Sequence, residues 1–292
     1  MTLTAEQVEA RPSLVQMARA EYDGLSRVNF STLKAFDRSP LHYRHALAER
    51  SPDTAARKLG RATHVAVLEP DRFKEDVVCW REGTRRGKAW DAYREAHAGQ
   101  EILTAKEMET CLAIAKSVRG NPEAMRYLKA GRAEVTALWN DAVSGWPCRG
   151  RLDWIANVGA LADLKTTKDA SLSGFGRQAW TSLYHAQGAM YQDAVFAATG
   201  ERLPFIILAV ENVAPYCCQV YALGQDAIDA GRKAYRGWLA RLTECRLSGE
   251  WPGYATGPVE LQVPRWADRT GESAEDEETE DEETEDEETT EE

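Results

Sequence analysis

No run of apolar residues in this 292-residue chain approaches the roughly 18–20 needed to cross a bilayer, so a membrane-spanning role is not expected. The first residues, "MTLTAEQVEARPSLVQ", lack the basic region and apolar core of a secretory signal, and the expected location is cytoplasmic. Cysteine is sparse: Cys79, Cys111, Cys148, Cys217, Cys218 and Cys245 are scattered without any C-x-x-C spacing. A zinc or iron–sulfur centre is therefore not expected, and the thiols read as reduced packing groups. A complete phosphate-binding loop is missing too. "GTRRGKA" has only three residues between Gly83 and Gly87, and Ala89 stands where that motif needs a hydroxyl. An ATP-driven motor is excluded.

Positive charge is absent from the C-terminus. Residues 271–292 hold 15 acidic residues and no Lys or Arg, including three consecutive copies of "EDEET". The formal charge of −11 therefore becomes +4 over residues 1–270 once those 15 acids are set aside. Such a segment repels itself and has nothing apolar to bury, so residues 270–292 are expected to form a disordered acidic tail. The tail either competes with nucleic acid for the basic body or only aids solubility. Residues 1–24 read as an N-terminal extension, and the folded domain spans 25–269.

What the body has is a substantial apolar share, 43% of the chain, with nine Trp. Helical signals come first: Asn29 or Ser31 as a cap before "LKAF", Pro40 opening a helix, "DTAARKLGRATHVAVLEP" ending at Pro70, and a capping box at Thr104 and Glu107. "KEDVVCW" reads as a strand. Three strand-like runs follow, "AEVTALWN", "CRGRLDWIAN" and "ALADLKTT". Then come a helix closed by Gly200, two more strands, "LPFIILAVEN" and "CCQVYAL", and a long helix over about 225–248. This order predicts an α/β fold with one central mixed sheet flanked by helices.

"ALADLKTT" contains a fault for a buried strand. Asp163 and Lys165 interrupt the apolar run and, two residues apart, point to the same face. An acid-x-Lys pair arises about once or twice by chance in a chain of this composition, so its neighbours must supply the meaning. The preceding strand carries Asp153, with Leu152 and Trp154 expected on its other face. If the "NVG" turn is centred on Val158, Asp153 lies opposite Asp163 with Cβ atoms about 5 Å apart. Two facing carboxylates are destabilising without a cation or a proton between them. Two acids and an amine on one face fit a Mg²⁺ site for phosphodiester hydrolysis, in which the amine stabilises developing negative charge. A cross-strand salt bridge at a sheet end is the structural alternative.

Arg81, Arg85, Arg86 and Lys88, with Trp80 and Trp90 beside them, make the densest basic stretch. They are candidates for phosphate contact and base stacking, or simply a solvated loop.

Asp153 followed by Asp163-Leu164-Lys165 resembles the core of the PD-(D/E)XK nucleases. "FSTLKAFDRSPLHY", "GRATHVAVLEP", "GRLDWI", "DLKTT", "YHAQGAMY" and "WPGY" follow the order of their RecB-like branch, above all the exonuclease VIII (RecE) domain of phage recombination, across roughly residues 25–266. The resemblance implies that His64 lies near the metal, and imidazole admits Mn²⁺ as a substitute for Mg²⁺. It implies that Gln187 and Tyr191 form the Q-x-x-x-Y pair, one helical turn apart, holding a phosphate or scaffolding the site. Glu134 matches an upstream acid. The implied metal set is thus Asp153, Asp163, His64 and Glu134, and the implied catalytic set is Asp153, Asp163, Lys165, His64, Gln187 and Tyr191. The implied activity is Mg²⁺-dependent degradation of linear double-stranded DNA from its ends, 5′ to 3′. A single-strand annealing protein would be the partner and a homo-oligomer the working form, in a bacterial cell carrying the gene on a phage or prophage. The alternatives are an endonuclease on the same fold and a non-catalytic module that binds DNA ends.

Overall fold

Side-chain caps set where several helices of the computed structural model begin; residues 11–49 and 54–261 are described. Strand β1 (Ser13–Val15) and helix α1 (Arg19–Gly24) come first, followed by β2 (Val28–Asn29) and α2 (Phe30–Leu33). Asn29 caps α2 by accepting from the Thr32 N–H, as its position before "LKAF" led one to expect. A 3₁₀ turn (Lys34–Asp37) leads to α3 (Pro40–Ala48), capped by Ser39. Helix α4 (Ala55–Leu68) stops before Pro70, which then serves as the first residue of α5 (Pro70–Asp76). Part of the expected strand "KEDVVCW" is therefore helical, and only β3 (Val77–Trp80) remains extended.

Helix α6 (Gly87–Ala96) connects β3 to the parallel strand β4 (Glu101–Thr104), and these two strands form a small separate sheet. Both bonds of the Thr104–Glu107 capping box are present at the start of α7 (Ala105–Gly120), and Asn121 caps α8 (Pro122–Leu128). The three central strands are β5 (Gly131–Asn140), β6 (Pro147–Ala156) and β7 (Ala160–Thr167). Helices α9 (Leu172–Thr181) and α10 (Tyr184–Thr199) cross over to β8 (Phe205–Glu211), β9 (Cys218–Ala222) and α11 (Gln225–Ser248).

The main sheet has seven strands in the order β1-β5-β6-β7-β8-β9, with β2 also paired to β6. The β7–β8 and β2–β6 pairs are parallel and the others antiparallel, so the sheet is mixed as expected. Alternate residues of β8 separate two cores. Phe205, Ile207 and Ala209 pack with α10 and α11; Ile206, Leu208 and Val210 pack with α4 and α7. Strand β1, inside the segment assigned to an N-terminal extension, is the sheet's own edge strand. The compact unit ends at Gly253, and residues 254–261 form no helix or strand. The expected domain end at 269 and the acidic tail at 270–292 lie outside the described residues.

Among the described residues, no helix is long and apolar enough to cross a membrane. All six cysteines are free, and Cys111, Cys148 and Cys245 are buried in packing roles.

Candidate active site

The site forms where β6 loses its neighbours. Its end pairs with β7 through Trp154–Ala162, Ile155–Leu161 and Ala156–Ala160, the register that a turn centred on Val158 demands. Its start pairs with β2 through Val28–Cys148 and Asn29–Arg149. Between these ladders, residues 150–152 are bonded to β5 alone. Asp153 would be the next rung opposite Asp163, but the strands part there. Its Oδ2 instead accepts the Leu164 N–H at 3.0 Å, so a side chain takes the place of a backbone carbonyl.

On the other side of β6, the ladder to β5 skips the rung between Ala133–Trp154 and Val135–Leu152, where Glu134 faces Asp153. Glu134 has φ of +52°, a left-handed conformation that side chains rarely adopt outside functional or strained sites. The pleat inverts there. Val135 and Leu152 pack in the core under α10 and α11, whereas Ala133 and Trp154 pack in the core under α4 and α7. Leu152 and Trp154 therefore do not share a face as strict alternation predicted; the kink at Glu134 reverses the facing on both strands. The result is three carboxylates, Glu134, Asp153 and Asp163, in one row across three neighbouring strands.

Each acid has a different partner. Helix α4 buries Ala62, Thr63, Ala66 and Val67 against α7 and holds His64 at the edge of that stripe, with Nδ1 3.4 Å from Asp153 Oδ2. Glu134 accepts from Arg151 Nε at 2.5 Å. Asp163 is buried, paired with the Lys165 ammonium and hydrogen-bonded through Oδ1 to Gln187 Nε2 at 3.2 Å. The expectation that Asp163 and Lys165 share a face is met by that ion pair.

Gln187 also hydrogen-bonds Tyr191, one turn further along α10. Tyr191 is buried against the strand, and a Cβ at Gly150 would sit 2.9 Å from its ring. The Gln187–Tyr191 pair thus scaffolds Asp163 from above. Burial first, then neighbouring acidic groups including Asp163, hold the Tyr191 phenol well above its usual range, so it stays neutral.

The electrostatics call for a cation. Asp153 is pushed up to about 7, first by burial and next by the Asp163 carboxylate, with His64 and Lys165 opposing. Burial alone would lower Lys165, but Asp163 and then Asp153 raise it, so the ammonium stays charged. Ligand atoms of His64, Glu134 and Asp153 lie within 4.8 Å of one another, a mixed imidazole–carboxylate set suited to a divalent ion. Asp163 stands beside that set, with its carboxylate turned to Lys165 and Gln187.

Sequence reasoning missed three contributors. Arg151 neutralises Glu134, Tyr184 lies beneath the Lys165 ammonium at 4.8 Å, and Gly150 makes room for Tyr191. Gly150 and Arg151 stand inside "GRLDW", where the acid alone was read; Tyr184 has no sequence signal, because it depends on the left-handed Leu183 at the start of α10 (φ +64°).

The basic stretch behaves differently from its composition. Trp80 is buried, donates to the Gly83 carbonyl and meets Trp90 edge-on at 5.5 Å; Arg85 is tied to Glu107 and the Ile102 carbonyl. These contacts hold the small sheet together, and the buried Trp80 is unavailable for stacking on bases. Arg81, Arg86 and Lys88 remain exposed.

A solved structure from Eubacterium rectale, described as a candidate exonuclease, shares this fold at a TM-score of 0.59 and 15% identity, over 88% of this chain and 99% of that one. Another, SSO0001, overlaps at a TM-score of only 0.26, with 13% identity over 74% of this chain and 87% of its own. No curated protein matches. A family model described as "PDDEXK-like domain of unknown function" (DUF3799) matches residues 29–261, and the chain belongs to that family, within the PD-(D/E)XK nuclease superfamily.

Proposed function

We propose that the protein is a divalent-metal-dependent exodeoxyribonuclease acting on linear double-stranded DNA. The observation that carries the reading is the row Glu134–Asp153–Asp163, with His64 on one side and a charged, half-buried Lys165 on the other. A structural salt bridge needs one acid and one base, whereas this arrangement keeps a carboxylate, Asp153, at a register where ionisation is opposed.

Asp153, Glu134 and His64 would hold Mg²⁺ or Mn²⁺, with Asp163 adjacent. When bound, the ion supplies Lewis-acid polarisation of a phosphodiester and a more acidic water. Lys165, fixed by Asp163 and Tyr184, places positive charge where negative charge develops on the phosphate. Gln187 sets the orientation of Asp163, and the Leu164 N–H sets that of Asp153.

Attack from DNA ends in the 5′ to 3′ direction, action with a single-strand annealing protein, and a homo-oligomeric working form rest on the likeness to exonuclease VIII. The exonuclease description of the Eubacterium rectale neighbour agrees with end attack. A time course on end-labelled linear duplex and covalently closed circles, in Mg²⁺ or EDTA, tests this. Linear DNA is expected to shorten from its ends in Mg²⁺ only, while circles persist. Steady conversion of circles into linear product would establish an endonuclease instead.

A further inference from the structure

Strand β6 carries two more cations upstream of Asp153, and one of them pairs with no acid among the described residues. Arg149, Arg151 and Asp153 are alternate residues of the strand. The Arg151 guanidinium is committed, donating to Glu134 and, through Nη1, to the Met17 carbonyl at 3.2 Å. Arg149 is not. Its guanidinium carbon lies 4.5 Å from the centre of the Tyr22 ring, which Arg151 and Arg19 approach at 5.7 and 5.9 Å. Its Nε and Nη1 are buried and meet no acceptor among the described residues.

A guanidinium cannot shed its proton to escape this situation. Buried N–H groups left without acceptors are costly, and a charged donor more so. Stacking on Tyr22 fixes the plane of the fork, so little rotamer freedom remains to be lost when an anion arrives. The balance of charge along the site points the same way. Lys165 is matched by Asp163 and Arg151 by Glu134, which leaves Arg149 as the unmatched cation of its strand.

We propose that Arg149 anchors a backbone phosphate of the bound DNA strand, away from the bond being cut. This deepens the nuclease reading and rests on it. Four residues of strand span about 13 Å. Successive phosphates of one strand are further apart than the rise along the duplex axis, so the anchored phosphate lies a few nucleotides at most from the metal site. The contact carries no base information; it sets the strand's register on β6.

The test uses the full chain and Arg149→Met and Arg149→Lys variants, with a short duplex in Ca²⁺ over a range of KCl concentrations. Loss of one phosphate contact should make the slope of log affinity against log salt shallower by about 0.9 in Arg149→Met. Without DNA, the melting temperature of that variant should be unchanged or higher, because relief of the two buried donors without acceptors offsets the lost stacking on Tyr22. Arg149→Lys should keep the slope but bind less tightly, since a point charge replaces the fork. This second variant carries the test if the first does not fold. A lower melting temperature with an unchanged slope in Arg149→Met, or wild-type affinity in Arg149→Lys, would reduce Arg149 to a packing residue. If the wild-type protein binds no DNA at all, the nuclease reading falls together with this one. Binding by wild type with an unaltered slope in Arg149→Met removes the anchor alone.

Discussion

Replacing Asp153 by Asn should make the metal-free protein more stable, and increasingly so as pH rises. Asp153 moves from the usual 3.8 to about 7 on folding, with only 16% of its side chain exposed. A displacement of about three units corresponds to about 4 kcal/mol. The sign follows from the direction. An acid whose folded-state value is raised contributes stability that is complete below about pH 4 and is lost as pH climbs to about 7. Asn carries no charge at any of these pH values and keeps an oxygen for the Leu164 N–H, which now bonds Oδ2 at 3.0 Å. In EDTA the variant should therefore exceed wild type by a margin that widens from pH 5 to pH 8, with about 4 kcal/mol as its upper bound. Urea unfolding at the two pH values measures this, and the difference between the proteins cancels the titrating groups that do not interact with Asp153. Added Mg²⁺ should then stabilise wild type and leave the variant unmoved. An offset that does not change with pH would refute the reasoning, because the row of acids would impose no electrostatic cost to be relieved.

Gly150→Ala should cost about 1–3 kcal/mol and lower activity, since the new methyl meets the Tyr191 ring at 2.9 Å and displaces the Gln187–Asp163 link; denaturant unfolding and turnover check it together. Asp193→Ala should cost about 3–5 kcal/mol in urea unfolding, because Tyr235, Arg202, Arg232 and Arg236 all converge on that carboxylate. Burial opposes the ionised form of Asp193, but hydrogen bonds from Tyr235 and Arg202 and the charge of Arg232 hold it below its usual value. Its stabilisation should thus be present near neutrality and disappear as pH falls below the normal carboxylate range. His64→Ala should weaken Mn²⁺ support of cleavage more than Mg²⁺ support, as read from activity against metal concentration.

Much of the fold was legible because its signals are local. The Asn29 cap, the Thr104–Glu107 box, Gly200 after α10 and the Val158 turn each fix a boundary or register within a few residues. The short strands β1, β2 and β4 escaped, since they exist only through pairing with distant partners. Asp153, Asp163 and Lys165 could be picked out because charge is conspicuous in an apolar strand. The inverted pleat could not, because it depends on the left-handed Glu134 backbone, which no spacing rule anticipates. For the same reason the roles of Arg151 and Arg149 emerged only with the strand's neighbours in place. The basic stretch at 81–88 was legible only in part: packing commits Trp80 and Arg85 to the small sheet, while Arg81, Arg86 and Lys88 stay exposed.

The central claim is that Lys165 serves the reacting phosphate and not merely the fold. Single-turnover cleavage of labelled linear duplex in Mg²⁺ by wild type and Lys165→Ala, beside DNA affinity in Ca²⁺, tests it most directly. The account predicts a loss of cleavage of at least about a hundredfold, with affinity changed by far less, as expected for a group that acts on transition-state charge. Near-normal turnover by the folded variant would contradict it.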